Sequence, residues 1–149
     1  MLKQRLDQDL KKALLAGDKV LATTIRGLKS VILYAEVAKG TRDTGLSDED
    51  IVTLLSKEAK KRQESADLYQ RGGNQEKAAA ELAEKKAIEK YLPEQISKEE
   101  LHKLIETAVT ELGVTSMQGM GQVIAAVKAK AGAGADGALI AQMVKERLL

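Results

Sequence analysis

Apolar residues recur at helical spacing along nearly the whole chain, and no segment alternates apolar and polar residues as a strand does. The first stretch sets this pattern with Leu2, Leu6, Leu10 and Leu14, each four residues after the one before. The interior must be filled by aliphatic side chains, because the chain has no phenylalanine or tryptophan. Small aliphatic residues suit closely packed helices. The sequence therefore predicts an all-α protein.

Glycines and polar capping residues divide this pattern into seven predicted helices. Asp18 and Asn74 each precede an apolar-periodic segment and are expected to accept a backbone N–H bond as N-caps, and the third helix is expected to begin at Ser47. Glycines with no side-chain penalty for a left-handed conformation stand where helices are expected to end. These predicted ends lie at Gly17, Gly40, Gly72-Gly73 and Gly113.

Two further helix starts are predicted from capping boxes in the C-terminal part of the chain. Ser97 with Glu100 fits a capping box that opens the fifth helix, and Thr115 with Gln118 fits a second one that opens the sixth. Both pairs have the serine or threonine three residues before the glutamate or glutamine, as the motif requires.

The only proline, Pro93, lies in YLPEQ and marks the clearest break in the helical pattern. The sequence therefore predicts a four-helix N-terminal unit over residues 1–93 and a small three-helix tail over residues 97–149. A three-helix tail of this size has a small core and is expected to be marginally stable alone.

Cysteine is absent and His102 is the only histidine, which limits the chemistry open to this chain. Without cysteine there can be no disulfide, thiolate nucleophile or cysteine-ligated metal. His102 lies beside apolar positions of the fifth helix, where we interpret it as a surface or boundary residue. We therefore predict no catalytic residue, no metal site and no cofactor.

The charge balance and the hydropathy also exclude several classes of protein. With 24 basic and 22 acidic residues, the net charge of +2 is too small to indicate nucleic-acid binding by itself. No apolar run approaches the ~18–20 residues that a membrane span needs. The start, MLKQRLDQDL, is charged throughout and unlike a signal peptide. We expect a cytoplasmic protein with no membrane partner.

The run KAGAGADG spells G-x-G-x-x-G with Gly132, Gly134 and Gly137, the pattern of a dinucleotide-binding loop. That loop must follow a strand, but the preceding VIAAVKAKA has the pattern of an amphipathic helix. We interpret the run as a turn in which Gly132 and Gly134 end helix six through left-handed φ angles and Asp136 caps helix seven. Close approach of another chain to the bare backbone is a second possible reason for glycine.

Arg62 interrupts the apolar side of the predicted third helix, with Glu58 four residues before it. One explanation is a partly buried ion pair that sets the register of the helix. The alternative is an arginine that Glu58 holds in place for an anionic ligand such as phosphate.

The predicted second helix has a second side that carries few charges, although its other side is already apolar. This side could pack inside the bundle, or it could contact another protein. Its residues are Thr23, Arg26, Ser30, Leu33 and Tyr34, with Lys29 at the border.

The runs YLPEQISKEEL and MGQVIAAVKAKAGAGADGALIAQMVKERL closely resemble the YqeY family. That family shares its helical region with the tail of the B subunit of the glutamine-dependent aminoacyl-tRNA amidotransferase. TTIRGLKSVILYAE resembles its second helix, with Arg26 and Lys29 in place, and LLSKEAKKRQESADLYQRGG resembles its third, with Lys61 and Arg62. The resemblance covers essentially the whole chain.

The resemblance implies a non-catalytic helical module associated with tRNA, because the similar tail of the amidotransferase helps to hold tRNA. It also implies, by similarity, a carbon–nitrogen ligase activity with glutamine as the amide donor, but the domains that carry this chemistry have no counterpart here. Gly134, Asp136 and Gly137 would form a structural turn. The candidate nucleic-acid contacts are Arg26, Lys29, Lys61, Arg62, Lys128 and Lys130.

Two departures from the family pattern remove positive charge and so weaken phosphate binding. Asn74 stands where we expect an arginine, and Ala-Gly-Ala-Gly-Ala precedes Asp136 where relatives often have a lysine or arginine. The lightly charged side of the second helix and the near-neutral net charge favour an alternative, a protein-interaction adaptor in translation. Aromatic side chains that stack on unpaired bases are nearly absent, so RNA binding would rest on phosphate contacts and depend strongly on salt.

Overall fold

The computed structural model describes residues 1–149, with the side chain of Ala133 excepted. The described chain is helical and contains no β-strand, which confirms the prediction of an all-α protein. The helices are α1 (Leu2–Ala16), α2 (Lys19–Lys39), α3 (Asp48–Arg71), α4 (Gln75–Glu89), α5 (Lys98–Leu112), α6 (Met120–Ala131) and α7 (Gly137–Leu148), with short 3-10 turns at Met117–Gly119 and Gly132–Gly134.

The chain divides into two compact units, Met1–Leu92 and Pro93–Leu149. In the first unit, α1 packs against α2 and α3 packs against α4, so that two helical hairpins enclose one core. Each fully buried aliphatic side chain contributes about 1.5–3 kcal/mol to that core. The core residues are Leu6, Ile25, Leu28, Ile32, Ile51, Leu55, Ala59, Ile88 and Tyr91.

The predicted N-caps Asp18 and Asn74 are confirmed, and Ser47 also caps its helix. The side chains of Asp18, Ser47 and Asn74 each accept a hydrogen bond from the backbone N–H three residues further on. Such a bond satisfies one of the free N–H groups at a helix start and contributes about 1 kcal/mol. The predicted stop after α3 is also confirmed, because α3 ends at Arg71 and Gly72 follows as its C-cap.

The second unit is built from α5, α6 and α7 around a separate aliphatic core. The side chain of Ser97 caps α5 by accepting a bond from the N–H of Glu100 at 3.2 Å, as predicted. The N–H of Ile96 donates to the carbonyl oxygen of Gly134 at 2.8 Å, and this unit therefore includes the residues just after Pro93. The core residues are Leu101, Ile105, Ala108, Val109, Val123, Val127, Ile140 and Val144.

The predicted capping box of Thr115 and Gln118 is wrong. The chain makes a 3-10 turn at Met117–Gly119, and α6 begins only at Met120, with no side-chain cap at its start. A Cβ atom at Gly119 would lie 2.3 Å from Cγ1 of Val114, which itself packs on the core of the second unit. The backbone at Gly119 therefore lies so close to Val114 that only glycine fits there without a shift.

The structure also corrects the role of Gly134. Gly132 has a positive φ of 58°, as predicted, but Gly134 does not. Gly134 is buried, and a Cβ atom there would lie 3.1 Å from the carbonyl oxygen of Glu94 and 3.2 Å from Cγ1 of Ile96. Its glycine therefore provides space for a neighbouring segment. Asp136 caps α7 as predicted, accepting from the N–H of Ala138 at 3.0 Å.

Candidate functional site

The lightly charged side of α2 is exposed, so packing inside the bundle does not account for it. Tyr34 is 75% exposed, and the exposed side chains of Val20 and Val37 extend its apolar surface toward both ends of the helix. We call this surface the α2 face. It consists of Val20, Thr23, Arg26, Gly27, Ser30, Leu33, Tyr34 and Val37.

The charges of α2 are arranged so that no carboxylate of this helix is exposed. Its only acid, Glu36, is 2% exposed and accepts hydrogen bonds from Nζ of Lys3 at 2.8 Å and from the N–H of Leu46 at 3.2 Å. The hydrogen bond from Lys3 is the largest of the effects that lower the pKa of Glu36, although burial acts in the opposite direction. The exposed charges of α2 are therefore all positive.

The two predicted cations of α2 have different surroundings. Lys29 forms an ion pair with Asp7 of α1, with 2.5 Å between Nζ and Oδ1. Arg26 is exposed and forms no ion pair within the described part of the chain. An exposed pair such as that of Lys29 contributes little to stability, but it does partly neutralise the lysine.

A groove of about 260 Å³ lies between α1 and α2, next to the α2 face. Ser30 and Leu33 belong to both surfaces. Two ion pairs connect the helices that form its walls, Lys3 with Glu36 and Lys29 with Asp7. The groove is lined by Lys3, Leu6, Asp7, Lys29, Ser30, Ile32, Leu33 and Glu36.

The predicted cations of α3 form ion pairs with carboxylates of α3 and α4 and so help to join these two helices. Arg62 lies 3.7 Å from Glu58, 3.8 Å from Glu81 and 2.8 Å from Glu84, measured between its guanidinium nitrogens and their carboxylate oxygens. Lys61 pairs with Glu58 at 3.1 Å. This arrangement matches the explanation of Arg62 as a partly buried ion pair, because a phosphate would have to compete with three carboxylates for it.

The predicted cations of the tail lie on α6, in the second unit. Lys130 is 3.7 Å from the carboxylate of Glu111, whereas Lys128 forms no ion pair within the described residues. The side chain of Lys128 passes Gly137, where a Cβ atom would lie 3.1 Å from its Cε. The six candidate contacts therefore occupy three helices, and only Arg26 and Lys128 are without a carboxylate partner in the described chain.

Other functional sites are not indicated by the described residues. They contain no group of histidine, aspartate and glutamate side chains that could hold a metal ion. His102 is exposed on α5. None of the described helices is both long enough and apolar enough to cross a membrane.

Sequence reasoning missed the pairing of Lys3 with Glu36 and the groove beside it. The sequence does indicate a buried carboxylate at this place. The apolar stripe of α2 continues at four-residue spacing through Leu28 and Ile32 to Glu36, which puts a charge among buried residues. The same kind of signal, a charge within an apolar stripe, did single out Arg62 on α3.

Comparison with known proteins gives matches over most of the chain. A family model described as "Yqey-like protein" matches residues 3–148. The chain is 36% identical over 87 residues to "Altered inheritance of mitochondria protein 41, mitochondrial" of Eremothecium gossypii, and 33% identical over 87 residues to the protein of the same name from Vanderwaltozyma polyspora. Each match covers 58% of this chain and 46% of the relative, so the match spans less than half the length of these curated relatives. The chain belongs to the YqeY family.

Proposed function

We propose that this protein is a non-catalytic protein-interaction module, an adaptor that binds its partner through the α2 face. The observation that carries this proposal is the exposure of four large apolar side chains along one helix, those of Val20, Leu33, Tyr34 and Val37. Leu33, Tyr34 and Val37 lie within about one turn of each other, and Val20 lies near the start of the same helix. Exposed apolar side chains grouped in this way mark interaction surfaces more often than single exposed residues do.

A place in translation and a cytoplasmic location are part of the same proposal. The first is supported by the resemblance to the tail of the amidotransferase B subunit. The two curated relatives carry the word mitochondrial in their names, which concerns those proteins. The interaction proposed for the α2 face does not depend on the compartment.

Affinity capture from a nuclease-treated lysate tests the adaptor. We expect the wild-type chain to retain a protein partner after nucleic acid has been digested. The double variant Leu33→Ser/Tyr34→Ser should capture at least tenfold less of that partner than the wild type. Tyr34 is 75% exposed and its substitution should change stability by no more than about 0.5 kcal/mol, whereas Leu33 is 45% exposed and its substitution should cost about 1 kcal/mol.

The matched control is Leu68→Ser, which replaces a 66% exposed leucine on α3, outside the α2 face. This variant should retain the partner as the wild type does. The adaptor proposal is wrong if no protein survives nuclease treatment, or if the double variant and the control retain the same amount.

Association with tRNA is a second candidate function, supported by the resemblance and by Arg26 and Lys128, which form no ion pair in the described chain. Phosphate contacts make binding strongly salt-dependent. We expect Arg26→Ala and Lys128→Ala each to weaken tRNA binding and to reduce the slope of log K against log salt by about 1. Filter binding at several salt concentrations measures both quantities.

The control for tRNA binding is Lys103→Ala, which removes another exposed lysine that no predicted site includes. It should leave the slope unchanged. Flat titrations of the wild-type chain with tRNA at low salt would exclude this function, and equal effects of all three substitutions would show that binding follows net charge alone.

A further inference from the structure

We propose that the partner of the α2 face is an acidic amphipathic helix of another protein, and that this helix crosses α2 at Gly27. The inference rests on the proposed function as an adaptor and specifies the chemistry of the partner. It combines the charge of α2, the surface left open at Gly27 and the groove beside Leu33.

The charge of α2 favours an acidic partner. Lys19 and Arg26 are exposed on the side of the helix that carries the α2 face and Lys29 lies at its border, whereas the only acid of the helix, Glu36, is buried against Lys3. Lys29 has one carboxylate neighbour, Asp7, but Arg26 has no ion-pair partner among the described residues. Complementary charge across an interface accelerates encounter and rejects partners of the wrong sign.

Gly27 marks the point of closest approach on the α2 face. It lies near the middle of a long helix, where glycine costs about 1 kcal/mol relative to alanine. A Cβ atom at this position would meet nothing within 4 Å, so no contact with the described chain requires a glycine there. The short side chains of Thr23 and Ser30 lie on the same exposed side one turn before and after it.

The surface around Gly27 fits a crossing helix. Packed helices approach to about 8–10 Å between axes, and small residues at the contact allow the shorter distances. On the α2 face, Val20 lies before Gly27, and Tyr34 and Val37 lie after it, so apolar contacts are available on both sides of the crossing point. An apolar side chain of the partner could also enter the groove beside Leu33, where Lys29 can meet a flanking carboxylate.

A second copy of this chain fits the α2 face less well. An isologous contact centred at Gly27 would bring the two copies of Arg26 close together, because a two-fold axis repeats each residue across the interface. The cations of the α2 face would then meet charges of the same sign. RNA would match the cations, but it would leave the apolar side chains of Val20 and Val37 without a contact.

A selection with displayed peptides tests the partner class. The probe is a display library of helical peptides with randomised surface positions, selected on the full chain and counter-selected on the double variant Leu33→Ser/Tyr34→Ser. We expect enriched peptides with apolar residues at three- and four-residue spacing and an excess of glutamate and aspartate. Synthetic copies should bind the wild type at least tenfold more tightly than Gly27→Gln, and Arg26→Glu should weaken them at least fivefold.

The variant Gly27→Gln separates binding from folding. Glutamine has the higher helix propensity and replaces an exposed glycine, so the melting temperature of the variant should not fall. The matched control is Gly121→Gln on α6, where a Cβ atom also meets nothing within 4 Å. This control should bind the selected peptides as the wild type does.

Several results would overturn the inference. The inference is wrong if the selected peptides are basic or uncharged, or if they bind the wild type and Gly27→Gln with equal affinity. It is also wrong if the chain forms concentration-dependent dimers that Gly27→Gln abolishes, or if tRNA displaces the peptides. The capture experiment distinguishes two failures. If a partner depends on Leu33 and Tyr34 but the selected peptides are not acidic, only the class of partner is wrong. If no partner depends on these residues, the adaptor function itself is wrong.

Discussion

Replacing Glu36 with glutamine should destabilise the first unit at neutral pH and flatten the acid side of its stability profile. The carboxylate is buried and accepts two hydrogen bonds, one from Lys3 and one from the N–H of Leu46. Glutamine keeps the shape but not the charge, so the charge-assisted bond to Lys3 is replaced by a weaker one. The link between the start of α1 and the loop before α3 is weakened as a result.

The pH dependence follows from the sign of the shift. The pKa of Glu36 is lowered below its ordinary value of 4.5, chiefly by the hydrogen bond from Lys3. The unfolded chain then binds the proton more readily than the folded chain, so this contribution is complete well above pH 4.5 and is lost as the pH falls through the folded pKa. Glu36→Gln should lack this loss, and its stability should approach that of the wild type as the pH falls below 4.5.

Urea unfolding at pH 7 and at pH 3.5 measures both effects. Tyr34, Tyr69 and Tyr91 all lie in the first unit, so tyrosine fluorescence follows that unit separately from the second. The control Glu89→Gln removes a half-exposed carboxylate paired with Lys85 and should change the midpoint little. Equal midpoints for Glu36→Gln and the wild type at pH 7 would contradict the prediction.

Most of the helical framework could be predicted from the sequence because its signals are local. The caps at Asp18, Ser47, Asn74 and Ser97 depend on a side chain and a backbone group only three residues apart. Apolar spacing likewise depends on the period of a single helix. Such features need no knowledge of which helices are neighbours.

The failures concern contacts between distant residues. The role of Gly134 depends on Glu94 and Ile96, about forty residues earlier, and no pattern near the glycine indicates that contact. The sequence singled out Arg62 and its partner Glu58, but Glu81 and Glu84 reach it only because α4 packs along α3.

The candidate site shows the same limit. The sequence shows that this side of α2 has few charged residues. That pattern is compatible with burial in the bundle and also with contact to a partner. Only the packing of α1 and α3 against the opposite side of α2 shows that Leu33 and Tyr34 remain exposed. The pattern of one helix cannot show which of two apolar sides is covered.

Replacing Gly119 with alanine should destabilise the second unit by about 2 kcal/mol, the typical cost of forcing one extra carbon into a packed site. The backbone of Gly119 has φ −87° and ψ 2°, which alanine can adopt, so backbone strain is not the cause. The new Cβ atom would lie 2.3 Å and 2.6 Å from the two methyl carbons of Val114. Valine has few alternative rotamers and here packs on the core, so it cannot move aside cheaply.

A cost of this size should lower the melting temperature of so small a unit by roughly 10 °C. The second unit contains no tyrosine, so helical circular dichroism combined with amide hydrogen exchange of α5 and α6 is the appropriate measurement. Gly121→Ala is the matched control. A Cβ atom at Gly121 meets nothing within 4 Å, so alanine should leave the stability equal or slightly higher.

The collision itself can be tested with a double-mutant cycle. Val114→Ala alone should destabilise the unit by removing two packed methyl groups. In that background the two carbon atoms closest to the new Cβ are absent, and Gly119→Ala should cost less than about 1 kcal/mol. Additive effects of the two substitutions would mean that Gly119 is required for a reason other than its contact with Val114. A coupling of at least 1 kcal/mol would instead identify the collision with Val114 as the reason why a glycine is required at position 119.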